Sequence, residues 1–577
     1  VDGITYTAPM KQPPPPQALP EPRWLIAAAA ILIALFVALA TSSLLTESQT
    51  SDEAIHLAAG FAHVTRADFA LNPEHPPLAK EIAALPLLLL NIKLPLEHPS
   101  WKAAHASGFQ LPLGEQFLHH NGARFTTILT AGRMPIVCLG AALCITVFVL
   151  ARRIFGWRAA LVSLALCVFC PNLLAHARLV TTDLAVSFFL VLTLLGVHRY
   201  LDDPSLARLA LAGACIGLTL ASKFSAVVIV PAVLLVLLMA PSGSRRLAPA
   251  AALKAFAGMM AAAIAVLAAT YGFVHLPVYF SGLGGVFTTV TGGTQAFLLG
   301  SYSNDGWWYY YPVAMLLKTP VVALLIFAAI PLCYLGGKRA GGAKQHLVLL
   351  IPLFMFGAAA LASARNVGLR HVLPVYPILY ILAGQTISLI AGWPVFRRRV
   401  FVGLMGIWLA GSALFIHPFY LAYFNEIGGG PSRGSRLLSD SNVDWGQDFF
   451  RLARFMKEQG VEEILLAHYG NQDPAYYGIT YQYLPGMGHI KPPPAHIMTS
   501  DRVVLAISVM TLQGMFMRDR DTYRWLEKRT PLARVGYSLY IYDVTGDDDA
   551  YMKLAELYTR SKMRQQADWA EARRPAR

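Results

Sequence analysis

Between residues 24 and 421 the sequence repeatedly enters apolar runs close to the roughly 20 residues a helix needs to cross about 30 Å of hydrocarbon. They fall near 24–46, 127–151, 159–176, 180–199, 206–221, 224–240, 255–275, 312–334, 346–362, 371–391 and 400–421, so about eleven transmembrane helices are predicted. The runs are continuous rather than alternating, which excludes a porin-like barrel. With 55% hydrophobic and only 14% charged residues, the 577-residue chain is neither soluble nor disordered. The fold class is an α-helical polytopic membrane protein.

The net charge of +14, from 47 basic and 33 acidic residues, is gathered in short clusters between the runs, so topology explains it better than nucleic-acid binding. Alternate short loops hold Arg152, Arg153 and Arg158, then Arg199 and Arg208, then Arg245, Arg246 and Lys254, then Lys338, Arg339 and Lys344, then Arg397 to Arg399. Positive charge stays inside, which puts the N-terminus in the cytoplasm and the C-terminus outside. Residues 47–125, 276–311 and 424–577 then face outward from a transmembrane domain of residues 24–423. Residues 1–23, with Pro13 to Pro16, read as a flexible cytoplasmic arm rather than a cleavable signal. All six cysteines lie in apolar runs, so disulfides are not expected. The sequence has no Asn-x-Ser/Thr sequon, which points to a bacterial inner membrane with a periplasmic site.

Beyond residue 424 the pattern changes. GVEEILLAHYG, DRVVLAISVM and ARVGYSLYIYDV are strand-like, and DWGQDFFRLARFMKEQG reads as an amphipathic helix. A small extracytoplasmic α/β domain is expected, closed by a charged helix over about 549–573.

Ionisable residues at membrane spans are costly, so their depth is informative. Arg133, Asp183, Lys223, Lys318, Arg365, Arg370 and His371 all fall near the outward ends of predicted spans. Snorkelling or structural pairing accounts for any one of them. Together they suggest an anion-binding cavity at the outer interface. The first outward loop starts with Asp52 and Glu53, which diverge by about 100° on a helix, so one would act while the other orients. A plain helix start, with Ser51 as N-cap, explains the same acids. Further on, NPEHPPLAKEIAALPLLLL presents Glu74 and His75 beside an interfacial helix. Both are metal-ligand types, so a divalent metal there is an open reading, although two adjacent residues are a weak signal. No other cofactor is expected.

These pieces resemble the C-type membrane glycosyltransferases that use polyprenyl-phosphate sugars, especially the protein O-mannosyltransferase and aminoarabinose-transferase group. The resemblance is carried by Asp52-Glu53 after span one, PEHPPLAK, TTDLAVSFF with Asp183, LLKTP with Lys318, and NVGLRHVLPVYP with Arg370. YFNEIGGGP and DSNVDWGQD look like segments of bacterial members. Two features depart from the group: His75 stands where relatives often carry Lys, and the order near span ten is Arg370-His371-Val372.

The resemblance implies a catalytic carboxylate at Asp52, with Glu53 as fallback, and a donor phosphate held by Lys318 and Arg370 with Arg365 or Lys223. Glu74, His75, Asp183 and His371 would bind sugar or acceptor or support the site. The chemistry agrees. A lipid phosphate leaves an anomeric carbon as a stabilised anion, so one general base for the acceptor hydroxyl and cations for the phosphate suffice. Direct attack inverts the centre. The expected partners are a polyprenyl-phosphate sugar, membrane lipids, and a protein, lipid or glycan acceptor, not nucleic acid. A lipid-linked-sugar flippase or transporter is the alternative, but it would favour a midplane site between repeated halves. A non-catalytic scaffold leaves the acids and cations without a role. The outward C-terminal segment is expected to shape acceptor access and to supply no acid or base, with Trp445 stacking on sugar or anchoring at the interface.

Overall fold

The computed structural model describes residues 21–107, 110–242, 245–337, 340–486 and 496–574. Pro13 to Pro16 of the arm, and Lys338 and Arg339 of the charge pattern, lie outside them. Every predicted apolar run coincides with a helix or a pair of short helices. Among the described residues, five helices are long and apolar enough to cross a bilayer: Leu25–Leu44, Phe125–Phe155, Thr182–Asp202, Pro249–Thr270 and Ala343–Leu361. Shorter apolar helices include Trp157–Val168, Leu206–Leu220, Val321–Leu335 and Val375–Gly384. The chain is a multi-pass membrane protein.

Between helices in lipid, close approach does the work that hydrophobicity does in water, and small residues permit it. Gly213 and Gly217, four apart on Leu206–Leu220, form such a face. A Cβ at Gly213 would lie 2.4 Å from the Met259 carbonyl oxygen, and one at Gly217 2.5 Å from that of Ala263. That stripe seats Leu206–Leu220 on Pro249–Thr270.

The first outward loop folds into Glu53–Arg66, Leu78–Ala84, a 3-10 turn over Leu85–Leu89, Pro99–Ser107 and Leu111–His120. In the turn, Leu87 is buried while Leu89 is 89% exposed and Leu85 and Leu88 about half exposed, the one-sided apolar surface expected of an interfacial element. The 276–311 stretch contains regular structure. It opens with the apolar helix Leu276–Thr291, then forms an antiparallel pair of Ala296–Leu298 with Ser301–Ser303.

The C-terminal segment contains a five-stranded sheet in the order Tyr481–Tyr483, Ile464–Ala467, Val504–Ser508, Leu539–Asp543, Ala533–Val535. The first three strands are parallel, with Leu466 opposite Tyr483 and Leu465 opposite Leu505. The last two pairings are antiparallel. Val504 to Ser508 are buried on both faces, which is why that run reads as continuously apolar. Each such aliphatic side chain contributes about 1.5–3 kcal/mol of burial. The amphipathic helix is Phe449–Gln459, and the expected final helix divides into Asp548–Arg560 and Arg564–Ala572.

The sheet-bearing segment is tied to the end of the first helix. Ser48 N–H donates to the Gln447 carbonyl at 3.1 Å and Ser51 N–H to the Trp445 carbonyl at 3.0 Å. Ser48 Oγ–H donates to the Gly446 carbonyl at 3.0 Å and accepts from Phe449 N–H at 3.0 Å. Arg451 reaches Thr46 Oγ1 at 2.9 Å and pairs with Glu47 and Asp448. This clasp positions everything at the mouth of the first helix.

Candidate active site

Asp52 and Glu53 separate as the helical geometry requires. Asp52 sits at the N-cap of Glu53–Arg66 but makes no side-chain cap bond. Its Oδ2 accepts from Arg370 Nη1 at 3.0 Å, and its side chain is 27% exposed. Glu53 is fully buried. Arg133 donates to it from Nε at 2.9 Å and Nη2 at 2.6 Å, and the backbone N–H groups of Thr50 and Val180 add bonds at 2.8 and 2.9 Å. Burial pushes the Glu53 carboxyl up, but Arg133 and these donors outweigh it and hold it below its usual range. Glu53, expected as the fallback, is thus a buried anchor whose two oxygens are already occupied by these donors.

Asp183, in the first turn of Thr182–Asp202, is nearly fully buried and pairs with Lys223. Its Oδ2 lies 3.8 Å from Arg370 Nη1. Arg178, five residues before it, is paired with Glu47. Arg365 lies close enough for its charge to act on Lys223 and His371, and Tyr311 donates its hydroxyl to the Arg365 carbonyl at 2.6 Å. Asp52, Arg370, Asp183, Lys223, Arg365 and His371 thus form one network.

Lys318 stands apart. It is 2% exposed, its ammonium donates to the carbonyls of Leu421 and Asn442, and it lies 4.7 Å from the Phe424 ring centroid. No ion pair to Lys318 occurs among the described residues. Its contacts are those of a lysine bridging backbone carbonyls, which sets it apart from the Asp52–Arg370–Asp183–Lys223 network.

In the proline segment, Glu74 is exposed and accepts from Asn72 Nδ2 at 2.8 Å. The His75 ring stands edge-on to His56 at 5.0 Å. Burial, reinforced by the positive groups Lys80, Lys223 and Arg370 around it, drives the His75 imidazole well below its usual range, so it is neutral. Lys80 holds this turn by donating to the Asn72 and His75 carbonyls, each at 2.8 Å. Among the described residues no group of three or more His, Cys, Asp or Glu side chains is arranged to hold a metal, so the pair Glu74 and His75 gains no third ligand.

Five buried polar atoms in this set have no hydrogen-bond partner among the described residues: Arg370 Nε, Asp183 Oδ2, Arg365 Nε, His371 Nε2 and His75 Nδ1. Buried polar groups are normally paired, so these five atoms leave hydrogen-bonding capacity open within this set.

Sequence reasoning missed the contribution of the C-terminal segment. Trp445 is 1% exposed and its ring centroid lies 4.1 Å from the Arg370 guanidinium carbon. It is therefore unavailable for sugar stacking or for anchoring in lipid. Asp440 holds a left-handed backbone, φ 56°, and its neighbour Ser441 donates to the Val367 carbonyl at 2.9 Å. Burial pushes the Asp440 carboxyl up and Arg370 pulls it down, with a net rise. Asn442 Oδ1 accepts from Leu369 N–H at 3.0 Å, beside Arg370. The aromatic residue and extra acid in DSNVDWGQD were the only sequence signal, and their spacing fitted a plain turn.

Among solved structures, the chain is similar to ArnT from Cupriavidus metallidurans bound to undecaprenyl phosphate, at 13% identity and a TM-score of 0.45, covering 91% of this chain and 98% of that one. The apo state of the same protein gives 13% and 0.45, covering 90% and 97%. The Archaeoglobus fulgidus oligosaccharyltransferase, in complex with Zn and sulfate, gives 14% and 0.39, covering 82% and 59%. No curated protein matches the chain. Residues 124–271, which include Arg133, Asp183 and Lys223, match the family described as dolichyl-phosphate-mannose-protein mannosyltransferase, within the group that the motifs resemble.

Proposed function

We propose that the chain is an inverting membrane glycosyltransferase that moves a sugar from a polyprenyl-phosphate donor to an extracytoplasmic hydroxyl acceptor. The observation that carries this reading is the set of unpartnered buried polar atoms around a partly exposed carboxylate, Asp52, fixed 3.0 Å from Arg370. The matched family's description names a lipid-phosphate sugar donor, and a phosphate is the anion that such a cation set suits.

In this reading the acceptor hydroxyl gives its proton to Asp52 as its oxygen attacks the anomeric carbon from the face opposite the phosphate. The carbon–oxygen bond to phosphorus breaks, and the phosphate departs with the bonding pair. Arg370, Lys223 and Arg365 offset that growing negative charge. Asp183 keeps Lys223 and Arg370 oriented. His371 and neutral His75 offer hydrogen bonds to sugar or phosphate oxygens. The topology that fits is about eleven spans with the N-terminus cytoplasmic, in a bacterial inner membrane, with residues 47–125 and 424–577 outside.

The test is transfer from a radiolabelled polyprenyl-phosphate sugar by the purified protein. Transfer that disappears in Asp52→Asn supports the reading. Movement of the intact lipid-linked sugar across a liposome membrane without transfer would replace it by the flippase reading.

A further inference from the structure

Trp445 touches Arg370 and the residue that precedes Asp52. Its main-chain carbonyl accepts from Ser51 N–H at 3.0 Å, which fixes the residue just before Asp52. Its ring lies under the Arg370 guanidinium at 4.1 Å. The residue is itself held, since its N–H donates to Gln447 Oε1 at 2.7 Å and its ring meets His176 edge-on at 6.3 Å. A guanidinium over an indole face keeps all its N–H groups in plane and free for anions, whereas a fourth carboxylate would consume them. Here that plane delivers Nη1 to Asp52 and leaves Nε without a partner among the described residues.

We infer that Trp445 is a positioning residue of the active site, one whose ring aims Arg370 and whose backbone aims Asp52, so that the C-terminal segment completes the transferase site rather than merely screening it. This rests on the transferase reading for its catalytic consequence, but the geometry stands on the two contacts. The other charged groups around the pair, Asp183, Asp440, Lys223 and Arg365, are common to all variants considered, so a change on altering Trp445 reports on its own ring.

Two variants separate aim from bulk: Trp445→Leu removes the aromatic face, and Trp445→Phe keeps one. In protein reconstituted in nanodiscs, the Arg370 Nε–H resonance, assigned by its disappearance in Arg370→Lys, is expected to be shielded in the native protein and in Trp445→Phe and to move downfield in Trp445→Leu. Binding of undecaprenyl monophosphate is expected to weaken about tenfold in Trp445→Leu and to recover in Trp445→Phe. With a radiolabelled donor, kcat/KM is expected to fall about tenfold in Trp445→Leu, because the guanidinium that meets Asp52 loses its aromatic platform, and to return in Trp445→Phe. A Trp445→Leu protein that folds yet keeps the native resonance and phosphate affinity overturns the inference. If resonance and affinity respond as expected but no form transfers sugar, the positioning stands and the transferase reading falls.

Discussion

Glu53 and Arg133 face each other through two hydrogen bonds, at 2.9 and 2.6 Å, with both side chains almost wholly out of solvent. Arg133 also donates to the carbonyls of Leu44, Glu47 and Ser48, so the pair locks the end of the first helix to the start of the next. One peptide bond away, Asp52 keeps a partly exposed carboxylate, 3.0 Å from Arg370, while Glu53 carries the structural load.

Removing one member of that buried pair leaves an uncompensated charge. Glu53→Ala is expected to cost about 3–5 kcal/mol and to abolish recovery of folded protein in detergent. Replacing both, as Glu53→Gln with Arg133→Met, should be milder than the sum of the single changes. Size-exclusion profiles and thermal unfolding read the difference.

Asp52→Asn keeps shape and removes basicity. Turnover is expected to fall by about 10²–10⁴ while thermal stability and polyprenyl-phosphate binding change little. Near-native transfer by this variant would remove Asp52 from its role.

Lys318→Met and Arg370→Met should part company. Loss of Arg370 is expected to weaken phosphate binding at least tenfold with modest loss of stability. Loss of Lys318 strands the carbonyls of Leu421 and Asn442 and is expected to lower stability by about 1–3 kcal/mol. Lipid-phosphate titrations alongside thermal melts distinguish the two.

Glu115, on the helix Leu111–His120, accepts from Gln49 Nε2 at the mouth of the first helix. Burial pushes its carboxyl from 4.5 up to about 8, with the Asp473 charge adding to the rise and the Gln49 hydrogen bond opposing it. Between those values the folded protein holds a proton at Glu115 that the unfolded chain has released, so this group's contribution to stability is fully present below pH 4.5 and is lost as pH rises toward 8. Glu115→Gln imitates the protonated form, and its melting temperature should decline less than the native one between pH 5 and 8.

Deleting everything after Tyr423 should cost donor binding as well as transfer. The deletion removes Trp445 from beneath Arg370 and the partners of Ser48 and Ser51 from the mouth of the first helix. A truncated, correctly inserted protein that still binds polyprenyl phosphate would restore a screening role to the segment.

Much of this arrangement could be read from residue types. Asp183, Lys223 and Arg370 stand out because charge beside an apolar run is expensive, and Asp52 because it opens the first outward loop; the structure brings these four together. Lys318 looked equivalent on the same criterion. What separates it is where 3-10 turns at Tyr420–Ala422 and Asp440–Asn442 leave carbonyl oxygens, information held in residues more than a hundred positions away. Adjacent acids gave no clue to which would be sealed, because that depends on Arg133 entering from the next long helix. The helices and most strands were legible from period and run length. Tyr481–Tyr483, three residues long at the sheet edge, was too short to carry a pattern.

The clasp at the mouth of the first helix joins Ser48 to Gly446, 398 positions further along the chain. At about 5–20 residues per second, tens of seconds of synthesis separate the two partners. Nascent protein already threaded through the membrane thus carries Asp52 before the backbone that fastens Ser48 and Ser51 exists. On the transferase reading proposed above, such a chain would be unable to spend an activated lipid-linked sugar on water before its synthesis is finished.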